Sequence, residues 1–463
     1  MLSSSPTQRQ QGKAVLLRRP AERVIAALAR VIGDPRLRSE LGWVLINRLF
    51  EFITAFVLLK LLTNTLDQAT FAQFSLTDTA IMLLTGVLLT PVKDPFLRDY
   101  YGAIHRGEGR GAGRLVLWWV TAVTVVVALA SAVLSRPLSW LLGMSPWTIV
   151  AAGLVFVGSS WRFLGQDCLN TTRERRLWAL HNIGYWLLQL GLIWLALSLF
   201  EVSAASALFA YALATLVFAV ISIQPLLREI RRQPEHRGAL ALSQLIFSFG
   251  VPTAVLLGMQ WFQGFADRYL LEGLMDSKIV GQYVASYQVC GVPYQFLVRF
   301  FVSLLSPIAY QRGHDLEDAH GIWAADRVLL AGTGVLTVVG LAMLGIYWLF
   351  GRELVALLTS PGYVLGAGTL TLMAAGRFVQ ALGLSLQPLF AVHHRMRQML
   401  GFRVFGALLT LPLCWWGIRY AGVAGAALGS LLASVLYTLG LLVAPGGCAW
   451  LVIEVRRRAR GSR

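Results

Sequence analysis

Leu41-Gly-Trp-Val-Leu-Ile-Asn-Arg-Leu-Phe-Glu-Phe-Ile-Thr-Ala-Phe-Val-Leu-Leu-Lys-Leu-Leu62 is an apolar run with charges inside it. As a helix it reaches ~33 Å, enough to cross a hydrocarbon core of about 30 Å. Arg48 lies about a third of the way in, and Glu51 follows three residues later. A charge at the centre of a membrane helix costs roughly 2.5–3.5 kcal/mol. Arg162, Arg299 and Arg377 repeat the pattern in later apolar segments. Facing lipid, these groups together would cost on the order of 15 kcal/mol. They are therefore expected to face a cavity inside the protein, and buried arginines in a polytopic chain point to handling of anions.

Outward from that stretch, the composition agrees. The chain has 463 residues, 56% of them hydrophobic, and a mean hydropathy of +0.64. Recurrent long apolar runs exclude a soluble domain. Cys168, Cys290, Cys414 and Cys448 are scattered, with neither metal spacing nor a disulfide framework, and read as structural thiols. The first twenty residues are polar and basic and lack the apolar core of a cleavable signal. Ala21 to Ile32 is amphipathic and reads as a helix on an anionic membrane surface or as a disordered tail.

About twelve spans follow, centred near Phe52, Leu83, Val125, Val157, Leu188, Thr215, Leu256, Tyr294, Val338, Phe378, Thr410 and Leu432. The net charge of +17 sits in alternate loops. The N-terminal tail, Lys93 to Arg114, Arg173 to Arg176, Arg228 to Arg237, Gln311 to Asp326, Arg395 to Arg403 and the C-terminal tail are basic. The intervening loops, including Ser135 to Pro146 and Arg419 to Gly422, are short and nearly neutral. The positive-inside rule puts the basic set and both termini in the cytoplasm. The expected organisation is a basic tail (1–40), an N-lobe (41–227), a basic linker (228–241), a C-lobe (242–446) and a basic tail (447–463).

An internal echo supports two lobes. Thr70-Phe-Ala-Gln-Phe-Ser75 follows the first span and Ile279-Val-Gly-Gln-Tyr-Val284 follows the seventh. Each follows a short turn with an acidic residue, Asp67 or Asp276. An even number of spans separates them, so the halves share one orientation. That predicts a parallel pseudo-two-fold repeat of two six-helix lobes in an all-α membrane protein.

The stretch from Asp267 to Tyr287, an Asp-Arg pair leading into Val280-Gly-Gln-Tyr283 and Ala285-Ser-Tyr287, resembles the start of the second lobe in the oligosaccharide flippase family. Leu59 to Phe74 is similar to the first-lobe equivalent, with Ala72 where that family has glycine. The family belongs to the multidrug/oligosaccharidyl-lipid/polysaccharide exporter superfamily. The resemblance implies a transporter that moves undecaprenyl-pyrophosphate-linked sugars from the inner to the outer leaflet of the bacterial inner membrane by alternating access. It further implies a central cationic cavity for the head group, no enzymatic step, a role in exopolysaccharide or O-antigen assembly, and polymerases as neighbours.

Arg48 and Glu51 can pair on one helix face, either with Arg48 on a substrate phosphate and Glu51 orienting it or titrating, or as a self-neutralising pair that locks the first span. Arg299 falls at about the depth of Arg48, and two guanidiniums at one depth could hold a pyrophosphate through bidentate bonds, the other reading of Arg299 being a reach to the inner interface. Arg377, with Gln380 and Gln387, lines the middle of the tenth span. Arg162 lies near the cytoplasmic end of the fourth, where reaching the interface competes with a cavity role. Glu51 and Asp78 are the candidates for proton or sodium coupling. Lys60, Asp267 and Arg268 lie near outer span ends and read as interfacial anchors or inter-lobe contacts. His181, Tyr185 and Gln189 read as core, and His393 and His394 carry no assigned role. The sequence has no phosphate-binding loop, zinc spacing or catalytic triad, so no cofactor is expected. Two other readings stay open. One is a drug or organic-cation exporter of the same superfamily. The other is a polytopic polymerase or ligase, which the short outer loops disfavour.

Overall fold

The computed structural model describes residues 35–233, 240–312, 319–393, 395–443 and 446–453. The amphipathic stretch 21–32, linker residues 234–239, His394 and the tail from 454 lie outside them.

The described residues are helical. The first half holds α1 (Pro35–Thr65), α2 (Gln68–His105), α3 (Gly109–Val133), the short α4 (Ser135–Leu142), α5 (Pro146–Thr171), α6 (Arg175–Leu199) and α7 (Ala204–Arg232). The second holds α8 (Leu240–Leu245), a π-helical turn (Ile246–Gly250), α9 (Val251–Leu274), α10 (Ser277–Arg312), α11 (Ala319–Leu358), α12 (Ala367–Val392) and α13 (Met396–Val443). Ten stretches among the described residues are long and apolar enough to cross a membrane. The longest contains two arms, because α13 breaks at Ala421 and Gly422, where Gly422 takes a positive φ of 54°. The arms fold back so closely that Gly417 and Gly425 meet backbone to backbone and leave no room for a side chain. With α1 and the two arms counted separately, twelve helical segments match the span centres read from the sequence.

Within the first lobe α5 packs on α3 and α7, and α6 packs on α1 and α7. Within the second, α12 packs on α10, α11 and α13, and α9 packs on α13. The lobes meet where α2 lies against α9 and α10, and where α1 lies against α10 and α11. One end of the molecule carries the basic connections; the other carries short turns. Trp140, Trp147, Trp348, Trp415 and Trp416 all lie exposed near the short-turn end, as interfacial tryptophans do. Ser135 to Pro146, read as loop, contains the amphipathic α4, whose Trp140 and Leu141 are exposed. Arg395 to Arg403, read as a basic loop, is largely the first turns of α13.

The sequence echo has a structural counterpart. The Asp67 side chain accepts from Thr70 N at 3.2 Å at the start of α2, and Asp276 accepts from Lys278 N at 3.0 Å at the start of α10. The two helix starts abut: a Cβ on Gly281 would collide with the Gln68 carbonyl. Glycine at this position is what lets the two backbones touch.

Candidate functional site

The short-turn end is sealed across the lobes. Lys60 Nζ donates to the Thr359 carbonyl at 2.5 Å, and Gln68 Nε2 donates to the Gly362 carbonyl at 2.6 Å. Gln282 Nε2 reaches the same carbonyl at 3.0 Å, and the Tyr363 hydroxyl donates to the Leu66 carbonyl at 2.8 Å. Below this layer, Tyr269 donates to the Leu76 carbonyl at 2.8 Å and Trp261 Nε1 to the Thr79 carbonyl at 2.7 Å. Arg268 extends from α9 to within 3.5 Å of Ser75 Oγ on α2, with Asp78 as a further charged neighbour. Lys60 and Arg268 therefore act as inter-lobe contacts, and Arg268 is buried rather than interfacial.

Toward the basic end, α1 and α10 carry the charged pairing. Glu51 Oε2 accepts from Arg48 Nη1 at 2.7 Å, and Glu51 Oε1 lies 3.6 Å from Arg299 Nη1 of the opposite lobe. The Phe52 and Phe296 rings, 5.1 Å apart, close the contact on one side. Counted from Thr65 at the end of α1 and from Gly281 on α10, the three charges lie ~21–27 Å from the short-turn end. α1 is positioned by α6: Asn182 donates to buried Asn47 at 2.9 Å, and Arg48 lies 5.7 Å from the Trp178 ring. The side chains stay open to space, 57% exposed at Arg299, 34% at Arg48 and 27% at Glu51. The three charges are thus accessible rather than packed into either lobe's core.

Arg162 and Arg377 do not join them. Arg162 is buried in the N-lobe, its guanidinium 3.8 Å from the Tyr185 ring and 4.4 Å from that of Phe163. The expected reach to the interface is absent, because Tyr185 and Phe163 hold the cation inside. Arg377 is buried in the C-lobe over the Tyr287 ring at 3.5 Å, with Gln380 accepting from Nη1. Asp78 lies on the lobe seam near Arg268 and Tyr211. Tyr185 and Gln189 are core, and His181 lies 3.4 Å from Ser222 Oγ. All four cysteines are free and buried. His393 is paired with buried Asp326 at 3.0 Å.

Sequence reasoning missed Arg403, which is buried and donates to Gln263 Oε1 at 2.7 Å beneath the Tyr437 ring. It was hidden among basic loop residues. The signal was the uninterrupted apolar helix that begins directly after it.

No protein-family model matches the chain, and no curated protein does. Solved structures share its fold. An inward-facing multidrug resistance MATE family transporter of the MOP superfamily superposes with a TM-score of 0.65 at 13% identity, covering 90% of this chain and 96% of that one. An outward-facing structure of a transporter so described gives 0.59 at 13% identity, over 93% and 98%. A MOP superfamily transporter from Pyrococcus furiosus, described by the reverse polarity of its binding pocket, gives 0.61 at 13% identity, over 90% and 93%. The chain is a multi-pass membrane protein with this two-lobed fold.

Proposed function

We propose that the protein is a flippase that carries an undecaprenyl-pyrophosphate-linked oligosaccharide from the cytoplasmic to the periplasmic leaflet for exopolysaccharide or O-antigen assembly. One observation carries the reading: Arg48 and Arg299, one from each lobe, converge on the two oxygens of Glu51. Glu51 occupies the place an anionic head group would take. A pyrophosphate offers more acceptor oxygens than one carboxylate and can engage both guanidiniums in bidentate fashion.

Alternating access then follows from the seam. The short-turn end is tied while the basic end presents the arginines, so this conformation suits loading from the side of the basic loops. The positive-inside rule makes that side the cytoplasm of a bacterial inner membrane, with both termini there. Release requires parting Lys60, Gln68 and Arg268 from their partners. Glu51 and Asp78 are the carboxylates on the seam that a coupled proton or sodium ion would use.

The test is movement of a pyrophosphate-linked lipid across proteoliposome membranes. Transfer above protein-free vesicles supports the reading; its absence with folded protein removes it. A drug or organic-cation exporter is the second reading, favoured by the fold shared with multidrug resistance transporters. It calls for an acidic cavity, whereas two arginines here meet one glutamate. Efflux of a lipophilic cation without lipid transfer would select it.

A further inference from the structure

A cavity of about 440 Å³ lies on the lobe seam toward the short-turn end, bounded by α2, α3, α4 and α5 of the N-lobe and by Tyr269 and Glu272 of α9. Leu76, Ile81 and Phe156 form its buried wall, and Leu84, Leu134 and Leu142 are exposed at its rim. From Leu76 to Leu84 it runs ~12 Å along α2, comparable with the ~15 Å depth of one hydrocarbon leaflet. Since α2, α3 and α5 are long and apolar enough to cross a membrane, this apolar rim meets lipid. The volume suits a bound apolar chain.

Glu272 is the one charged residue in the lining among the described residues, and it stands two residues before the end of α9. Ser277 Oγ donates to Glu272 Oε1 at 2.5 Å, while Oε2 is buried and has no hydrogen-bond partner among the described residues. Arg268, one turn earlier, has Asp267 and Asp78 as its charged partners instead. A buried carboxylate oxygen without a donor is costly, and a primary ammonium brings three donors and the opposite charge. The carboxylate lies at the outer end of its span, beside an apolar cavity that runs inward along α2. That is the order of head group and chain in an outer-leaflet lipid. We propose that the cavity binds one phospholipid with a primary amine head group, its ammonium on Glu272 and an acyl chain along the apolar wall. Because both lobes line the cavity, the bound lipid favours the sealed state of the short-turn end. The site is separate from Arg48 and Arg299 and does not depend on what the transporter carries.

The experiment uses the full chain purified in detergent and mixed with dioleoyl phospholipids bearing ethanolamine, choline or glycerol head groups. The ethanolamine lipid should raise the Tm by several degrees over the other two, as a ligand of the native state does, and native mass spectrometry should retain about one per chain. It should also slow maleimide labelling of a cysteine at Ser75, buried behind the seal, several-fold relative to the choline lipid. Glu272→Gln, which keeps an acceptor for Ser277, should erase the preference for ethanolamine. Ala152→Phe, which fills the cavity from α5, should remove the lipid's effect on Tm. The double variant Arg48→Ala, Arg299→Ala should retain both. Equal Tm and retention for the three head groups would overturn the proposal, as would an ethanolamine preference that survives Glu272→Gln or a lipid effect that survives Ala152→Phe. Stronger stabilisation by dodecyltrimethylammonium or by undecaprenyl phosphate would assign the cavity to a cargo and overturn it as well.

Discussion

Glu51 of α1 and Arg299 of α10 stand 3.6 Å apart across the seam between the lobes, while the second oxygen of Glu51 holds Arg48 at 2.7 Å. One carboxylate thus links two arginines that belong to bodies expected to move against each other. Any anion that binds both arginines must displace it.

Glu51→Gln should tighten binding of a pyrophosphate head group and slow its transfer. Exposed pairs of this kind contribute at most about 1 kcal/mol, so the expected gain is up to about fivefold in Kd. Titration of the purified variant with inorganic pyrophosphate reads this directly. Weaker binding would mean that Glu51 orients Arg48 for substrate rather than standing in for it.

Gly281→Val should prise open the short-turn end, because its side chain has only the Gln68 backbone to displace. A cysteine at Ser75, buried beneath this layer, reports the change. In the parent it should resist an impermeant maleimide, and with Gly281→Val it should label several times faster. The four native cysteines are buried and add little background. Equal protection in both would show that the seal does not depend on the α2–α10 contact.

Gly425→Val should destabilise the fold by about 3 kcal/mol or more, since the Gly417 backbone cannot move aside as a side chain would. Gly334→Ala, in open space on α11, should leave thermal unfolding unchanged or slightly raised. Similar melting temperatures for the two variants would refute the close packing of the α13 arms.

Alkaline phosphatase fused after Gly143 or Gly422 should be active, and fused after Gly107 inactive, by an order of magnitude or so under the positive-inside rule. Activity at Gly107 would invert the orientation and with it the direction of loading.

Much of the fold was legible in the sequence because membrane spans announce themselves by length and apolarity. The Asp67 and Asp276 turns were legible for a different reason, since a capping carboxylate before a helix is a local signal. The short α4 was not, because eight residues with exposed Trp140 and Leu141 read like a loop end. For the site, the Arg48–Glu51 pair follows from helical spacing, and the depth match with Arg299 follows from counting along two spans. Arg162 and Arg377 are likewise charges inside apolar spans but point into their own lobes. Helix rotation decides this, and Tyr185 and Tyr287 lie on other helices where no spacing rule reaches them. Arg403 was lost for the same reason, its partners Gln263 and Tyr437 being distant in sequence.

On the proposed function, Arg48 and Arg299 together carry an anionic lipid head group across the membrane. The direct measurement is transfer of a fluorescent undecaprenyl-pyrophosphate-linked sugar in proteoliposomes, comparing the parent, Arg48→Ala plus Arg299→Ala, and Arg48→Lys plus Arg299→Lys. Transfer should be lost in the alanine pair and partial in the lysine pair, which keeps the charge but not the planar fork, with all three proteins folded. Parental transfer by the alanine pair would contradict it.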